Sequence, residues 1–178
     1  MALVETRDRE ALSAFFRRDP ALHAYSLGDL DDFFWPHTRW WAWDRGQGFE
    51  QVALLYSEPD VPVLLLLETE PEGSATPFAD ALMPVLPERI YAHVSPSLLR
   101  QFEAFRTTID PVPHLKLSQR NLRSLEAIDD PRVSHLTPAD LVEVEAFYAG
   151  AYPGTWFEPR MLETNRYLGI REDGRLLC

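Results

Sequence analysis

The sequence predicts an α/β fold built on a mixed sheet. Three observations carry this. Val61–Leu67 is a continuous apolar run bounded by turn residues and too short for a helix, which suits a strand buried on both faces. From Phe78 onward, segments with helical spacing of apolar residues alternate with strand-like ones. Thr137-Pro138-Ala139-Asp140 is a helix start, with Thr as N-cap, proline at the first helical position and an acid at the third.

The elements follow in chain order. Ala2-Leu3-Val4 is a short first strand. Arg9–Arg18 places Leu12, Phe15 and Phe16 at helical spacing. Asp19-Pro20 supplies an N-cap and a first-turn proline for a second helix carrying Leu22, Tyr25, Leu27, Leu30, Phe33 and Phe34, which Pro36 ends. Arg39–Asp44 is an aromatic-rich strand, Arg45-Gly46-Gln47-Gly48 a turn, and Gln51–Tyr56 the next strand. Glu58-Pro59-Asp60 turns into Val61–Leu67. Phe78–Leu86 is a short amphipathic helix closed by Pro84 and Pro87, and Arg89–Val94 is a strand. Ser95-Pro96 starts a helix with Leu98, Leu99, Phe102 and Phe105 on its apolar side. Thr107–Ile109 and His114–Leu117 are strand-like, and the prolines at 111 and 113 between them imply an edge or a bulge.

Asn121–Asp130 is polar and lacks a period, as a linker does. The order then restarts with strand Arg132–Leu136 and a helix striped by Leu141, Val144 and Tyr148. An aromatic loop, a second helix and strand Arg166–Arg171 follow. Glu172-Asp173-Gly174 is a hairpin turn, Asp-Gly being a strong short-range signal. Arg175–Cys178 begins the return arm, and so short a hairpin is marginal alone. The expectation is a chain that forms the front portion of something longer: a first lobe over 1–120, a linker over 121–130, and the start of a second lobe over 131–178.

Composition bounds the function. With 46% hydrophobic and 12% aromatic residues, the chain is suited to a packed core and not to acidic disorder. A net charge of −11 opposes non-specific nucleic-acid binding, which depends on Lys and Arg neutralising phosphates, and opposes an anionic membrane surface. One cysteine, Cys178, excludes an internal disulfide and a cysteine-based zinc site. The longest apolar run falls far short of the ~20 residues that span a bilayer, so the expected location is cytoplasmic.

The element order, strand–helix–helix–three strands–helix–strand–helix–strand and then a restart, resembles that of the GCN5-related N-acetyltransferase superfamily. Within it, the chain is similar to two-lobed members that place a degenerate acetyltransferase-like lobe before the working lobe. The most specific stretch is Tyr152-Pro153-Gly154-Thr155-Trp156-Phe157-Glu158-Pro159-Arg160-Met161-Leu162-Glu163-Thr164, followed by Tyr167–Gly174. It resembles the helix–loop–helix and hairpin that open the working lobe. Tyr25-Ser26-Leu27-Gly28-Asp29-Leu30 resembles the second helix of the leading lobe. The resemblance implies acetyl-CoA as co-substrate, no metal, and an amine acceptor, either a small molecule or a protein N-terminus.

That superfamily holds acetyl-CoA with Arg/Gln-x-x-Gly-x-Gly/Ala after its fourth strand, where backbone N–H groups meet pyrophosphate. Residues 131–178 contain no such motif. The corresponding place in the first lobe, Glu68-Thr69-Glu70-Pro71-Glu72-Gly73-Ser74-Ala75-Thr76-Pro77, has one glycine, two prolines and three carboxylates. Uncompensated like charges repel a polyanion, so no cofactor-binding residue is expected in this span.

Tyr152, Trp156, Phe157 and Glu158 lie in the loop that lines the acceptor site in the resembled fold, and are the candidate substrate-binding residues; packing between lobes explains them equally well. Trp35, Trp40, Trp41 and Trp43 read as a strand with aromatics packed on both faces before they read as a pocket. The histidines at 23, 37, 93, 114 and 135 lack metal spacing, and Asp29, Asp31 and Asp32 lack the glycine and spacing of a calcium loop. No catalytic base is assigned. The expected role is to supply the leading lobe and acceptor-side wall of an acyltransferase, with the 178 residues inactive alone. The alternative is a non-catalytic ligand-binding or dimerising module of the same fold, a homodimer pairing at the Arg175–Cys178 edge.

Overall fold

The structure, a computed structural model, describes residues 2–44, 46, 48–68, 75–108, 111–119, 130–155 and 157–178. It divides into two compact units, Met1–Ser118 and Gln119–Cys178.

The first unit is a five-stranded mixed sheet with helices on both faces. Strands β1 (Ala2–Thr6), β2 (Thr38–Asp44), β3 (Phe49–Tyr56), β4 (Val63–Leu66) and β5 (Tyr91–Val94) lie in that spatial order. The first three pairings are antiparallel and β4–β5 is parallel. Helices α1 (Arg9–Phe16) and α2 (Ala24–Gly28) connect β1 to β2. Helix α3 (Thr76–Leu82) crosses from β4 to β5, and α4 (Leu99–Phe105) follows β5.

Alternation along the central strands feeds two cores. Trp40, Ala42, Val52, Leu54 and Leu65 pack with Leu12, Phe15 and Phe16 of α1 on one face. Trp41, Ala53, Leu55, Leu64 and Leu66 pack with Phe78, Ala79, Leu82, Leu98 and Phe102 on the other. A strand covered on both sides has no polar face, hence the unbroken apolar run in the sequence. The tryptophans of β2 are core residues: Trp40 is fully buried and Trp41 nearly so. Arg106, just past α4, gathers the carbonyls of Met83 (3.3 Å), Leu86 (3.2 Å), Pro87 (2.7 Å) and Glu88. It thereby ties down the turn that leads into β5.

Two expectations need correction. The second helix does not run to Pro36. Helix α2 has five residues, and turns flank it. Asp19 Oδ1 accepts from the Leu22 N–H (3.1 Å) and Asp31 Oδ1 from the Phe33 N–H (3.1 Å), and such local side-chain bonds compete with helix continuation. Nor do Thr107–Thr108 and His114–Leu117 form strands; Leu115 and Leu117 are 91% and 89% exposed. Prolines 111 and 113 offer no N–H to a ladder. Ile109, the end of the first segment, lies outside the described residues.

The second unit is a small antiparallel sheet, β6 (Val133–His135), β7 (Leu168–Glu172) and β8 (Arg175–Leu176), packed on α5 (Leu141–Ala151). The capping box forms as the sequence predicts, with Asp140 Oδ2 accepting from the Thr137 N–H (2.7 Å) and hydroxyl (2.9 Å). A 3₁₀ turn precedes α5 proper. The expected second helix is a 3₁₀ segment, Pro159–Thr164. The β7–β8 loop is Asp173-Gly174, with both residues at positive φ (50° and 76°), as a two-residue hairpin turn matched to strand twist requires. Leu136, Val144, Leu162 and Leu176 form the core. Glu143 ties hairpin to helix, accepting from Arg171 Nε (2.9 Å) and from the Leu176 N–H (2.8 Å). The expected linker falls largely on residues 120–129, outside the described set. No helix among the described residues is long and apolar enough to cross a membrane.

Candidate functional site

Two places in this architecture carry candidate chemistry. The first is the carboxyl end of β4, where the sheet changes from antiparallel to parallel pairing. In open α/β sheets, ligands bind beyond the carboxyl ends of parallel strands. Glu68 stands there. Its backbone N–H donates to Ser95 Oγ (2.8 Å), and its Oε1 accepts from the Ala75 N–H at the start of α3 (2.8 Å). Its Oε2 accepts from the Ser97 hydroxyl. An anion at this point would meet the Ala75 N–H and the Ser97 hydroxyl already taken by the chain's own carboxylate. Of the sequence segment weighed for that role, residues 69–74 lie outside the described set.

The second place is the loop after α5. Tyr152 is 61% exposed. Phe157 is half-buried, 5.2 Å from the ring of Tyr148 and 5.8 Å from that of Tyr167. Tyr167 in turn donates its hydroxyl to Met161 Sδ (3.3 Å), and burial raises its pKa. Glu158 forms an ion pair with Arg160. Trp156 lies outside the described residues. The structure thus joins Phe157 to a three-ring cluster within this unit's core. Tyr152 is left facing solvent, and Glu158 has its charge balanced by a neighbour. Tyr148 and Tyr167 share the cluster; in sequence, Tyr148 is marked only as part of an apolar helix stripe, which signals packing.

Comparison with protein-family models, curated proteins and solved structures finds no match for this chain.

The remaining candidates resolve locally. Trp35 carries the guanidinium groups of Arg7 and Arg9 at 4.0 and 4.4 Å from its ring centroid, and Trp43 packs edge-on to Phe78. Asp32 pairs with Arg9 (2.5 Å), whereas burial pushes the Asp29 carboxyl up to about 7. His37 Nδ1 lies 2.5 Å from Glu58. Among the described residues, no group of three or more His, Cys, Asp or Glu side chains is placed to hold a metal ion. His23 is buried against Phe15 and Phe16, with no hydrogen-bond partner for its Nε2 among the described residues.

Proposed function

We propose that this chain supplies the leading lobe and the acceptor-side wall of a two-lobed N-acetyltransferase of the GCN5-related type, which transfers an acetyl group from acetyl-CoA to an amine. The observation that carries the reading is the pairing of the first unit: an antiparallel run β1–β4, a crossover through α3 and a parallel β5. It follows the element order on which the resemblance rests. Glu68 supports the further reading that this first lobe is degenerate, because its carboxylate takes up the Ala75 N–H and the Ser97 hydroxyl that an anion could otherwise use. The chain's own contribution is then to the acceptor. Exposed Tyr152 offers aromatic surface for an amine's apolar body, Phe157 backs the loop from the ring cluster, Glu158, balanced by Arg160, anchors it, and Trp156 is proposed from its sequence position alone. A cytoplasmic location accords with this reading.

The test is amine-dependent release of CoA thiol by the natural gene product that contains these residues, across small amines, amino acids and peptide N-termini. Activity there, with none from the 178-residue chain and no heat on titrating that chain with acetyl-CoA, is the expected outcome. Turnover or acetyl-CoA binding by the chain alone would overturn the assigned role. Failure of the gene product on every amine class would overturn the acetyltransferase reading. A second reading, a non-catalytic dimerising module of the same fold, rests on β8 lying at a sheet edge, where unpaired backbone groups can pair with another chain. A solution mass that doubles with concentration, without any amine acetylation, would select it.

A further inference from the structure

Lys116 is the only lysine in the chain. It belongs to the irregular segment 111–119, whose Leu115 and Leu117 stand in solvent. Its side chain reaches back 94 residues in sequence to donate to the Leu22 carbonyl, and its Nζ lies 4.7 Å from the centroid of the Tyr25 ring. The segment is therefore moored to the turn that opens α2.

That turn holds a group poorly suited to acid. His23 is 2% exposed, its ring centroid 5.5 and 5.1 Å from those of Phe15 and Phe16, and its Nε2 has no hydrogen-bond partner among the described residues. Asp19 closes the turn, accepting from the Leu22 N–H with its side chain (3.1 Å) and from the His23 N–H with its carbonyl (3.0 Å). Asp19 favours a charged imidazole, while burial, the largest influence, and Lys116 disfavour it; the balance holds His23 down to about 4. Arg18 lies 5.1 Å over the neighbouring Phe15 ring, and at His93 of β5 burial, His114 and Lys116 all disfavour a charged ring.

We propose that the Asp19–Ala24 turn is an acid-operated latch: protonation of His23 opens the turn, withdraws the Leu22 carbonyl from Lys116 and frees the 111–119 segment. An imidazolium cannot stay between two phenyl rings without a partner for its second N–H. Once the turn opens, the ring titrates near its ordinary 6.5. The ratio of open to closed molecules then rises by up to about tenfold for each pH unit between those two values. The charged ring also repels the ammonium that moored the segment, so release and opening are one event.

The single lysine makes the test direct. With ¹³C-labelled lysine, one side-chain NMR signal reports Lys116, shifted by the Tyr25 ring current while the mooring holds. Hydrogen exchange at the His23 and Leu27 amides, corrected for intrinsic rate, reports the turn. Between about pH 6 and about pH 4.5, with tryptophan fluorescence still native, the lysine signal is expected to move to its free position. Over the same range the amide opening constants should rise by up to about tenfold per pH unit. In His23→Phe both readouts should be flat. A lysine signal that still moves in His23→Phe, or that holds until global unfolding, overturns the proposal. Should His23→Phe fail to fold, the double variant His93→Gln/His114→Gln decides. It keeps His23, so it retains the transition if the latch is real, and its loss of the transition assigns the effect to the other two histidines.

Discussion

Replacing Arg106 by methionine removes the group that satisfies four backbone carbonyls at once. The carbonyls of Met83 and Leu86 close the end of the α3 turn, where no intrahelical donor remains. Those of Pro87 and Glu88 face the chain as it turns into β5. A hydrogen bond to a charged donor contributes about 1.5–3 kcal/mol when it is shielded from water. The bonds at 3.2 and 3.3 Å lie at the long limit and contribute little, and the one to Glu88 is solvent-exposed. Counting the Pro87 bond fully and the others at a fraction gives a loss of about 3 kcal/mol. Methionine retains much of the aliphatic packing, so the loss is polar. Urea denaturation followed by tryptophan fluorescence is the assay, since Trp35, Trp40, Trp41 and Trp43 all lie in the first unit. In a thermal melt followed by the same fluorescence, the melting temperature should fall by roughly 10 °C. Arg106→Lys should recover about a third, because an ammonium cannot serve several carbonyls with a planar fork. A loss below about 0.5 kcal/mol in Arg106→Met would refute the reasoning, because it would mean that water serves these carbonyls equally well.

In the second unit, a Cβ added at Gly169 would lie 2.7 Å from Leu176 Cδ1, 3.0 Å from Leu136 Cδ2 and 3.1 Å from the Cys178 carbonyl oxygen. Gly169→Ala is therefore expected to cost about 1–3 kcal/mol by overpacking, and an unchanged denaturation midpoint for that unit would contradict it. Burial makes the folded protein hold the Asp29 proton more tightly than the unfolded chain does. The resulting destabilisation is absent below about 4 and grows as pH rises to about 7. Asp29→Asn should accordingly stabilise at pH 8 and do little near pH 4, and an equal change at both values by urea titration would count against the assignment. Thr137→Ala breaks the capping box and should cost about 1 kcal/mol, read as loss of amide protection at Asp140 in hydrogen exchange.

What the sequence made legible was whatever local pattern determines. The run Val61–Leu67 showed a strand covered on both faces, and Trp40-Trp41 were readable as packing residues because neighbours in a strand face opposite ways. Thr137-Pro138-Ala139-Asp140 and Asp173-Gly174 marked a helix start and a hairpin because cap and turn chemistry lie within a few residues. The failures share a cause of longer range. His114-Leu115-Lys116-Leu117 alternates like a strand, yet Lys116 bonds to Leu22, and nothing near residue 116 in sequence signals that. The end of α2 depended on whether the Asp31 side chain would compete with the backbone, which composition leaves open. In sequence, the carboxylates around Glu68 are a charge that repels a polyanion. That one of them instead takes the donors itself, reaching Ser97 29 residues away, required the fold.

Trp40 and Trp41 are consecutive, yet each anchors a different core. Strand β2 is thus a wall common to two rooms, and neither room can be emptied while the other stands. Sliding β2 by one residue would exchange the two indoles and leave both cores misfilled. The first unit should therefore have little access to half-folded forms. Reporters placed on the α1 side and on the α3 side of the sheet should lose their native signal at one common denaturant concentration.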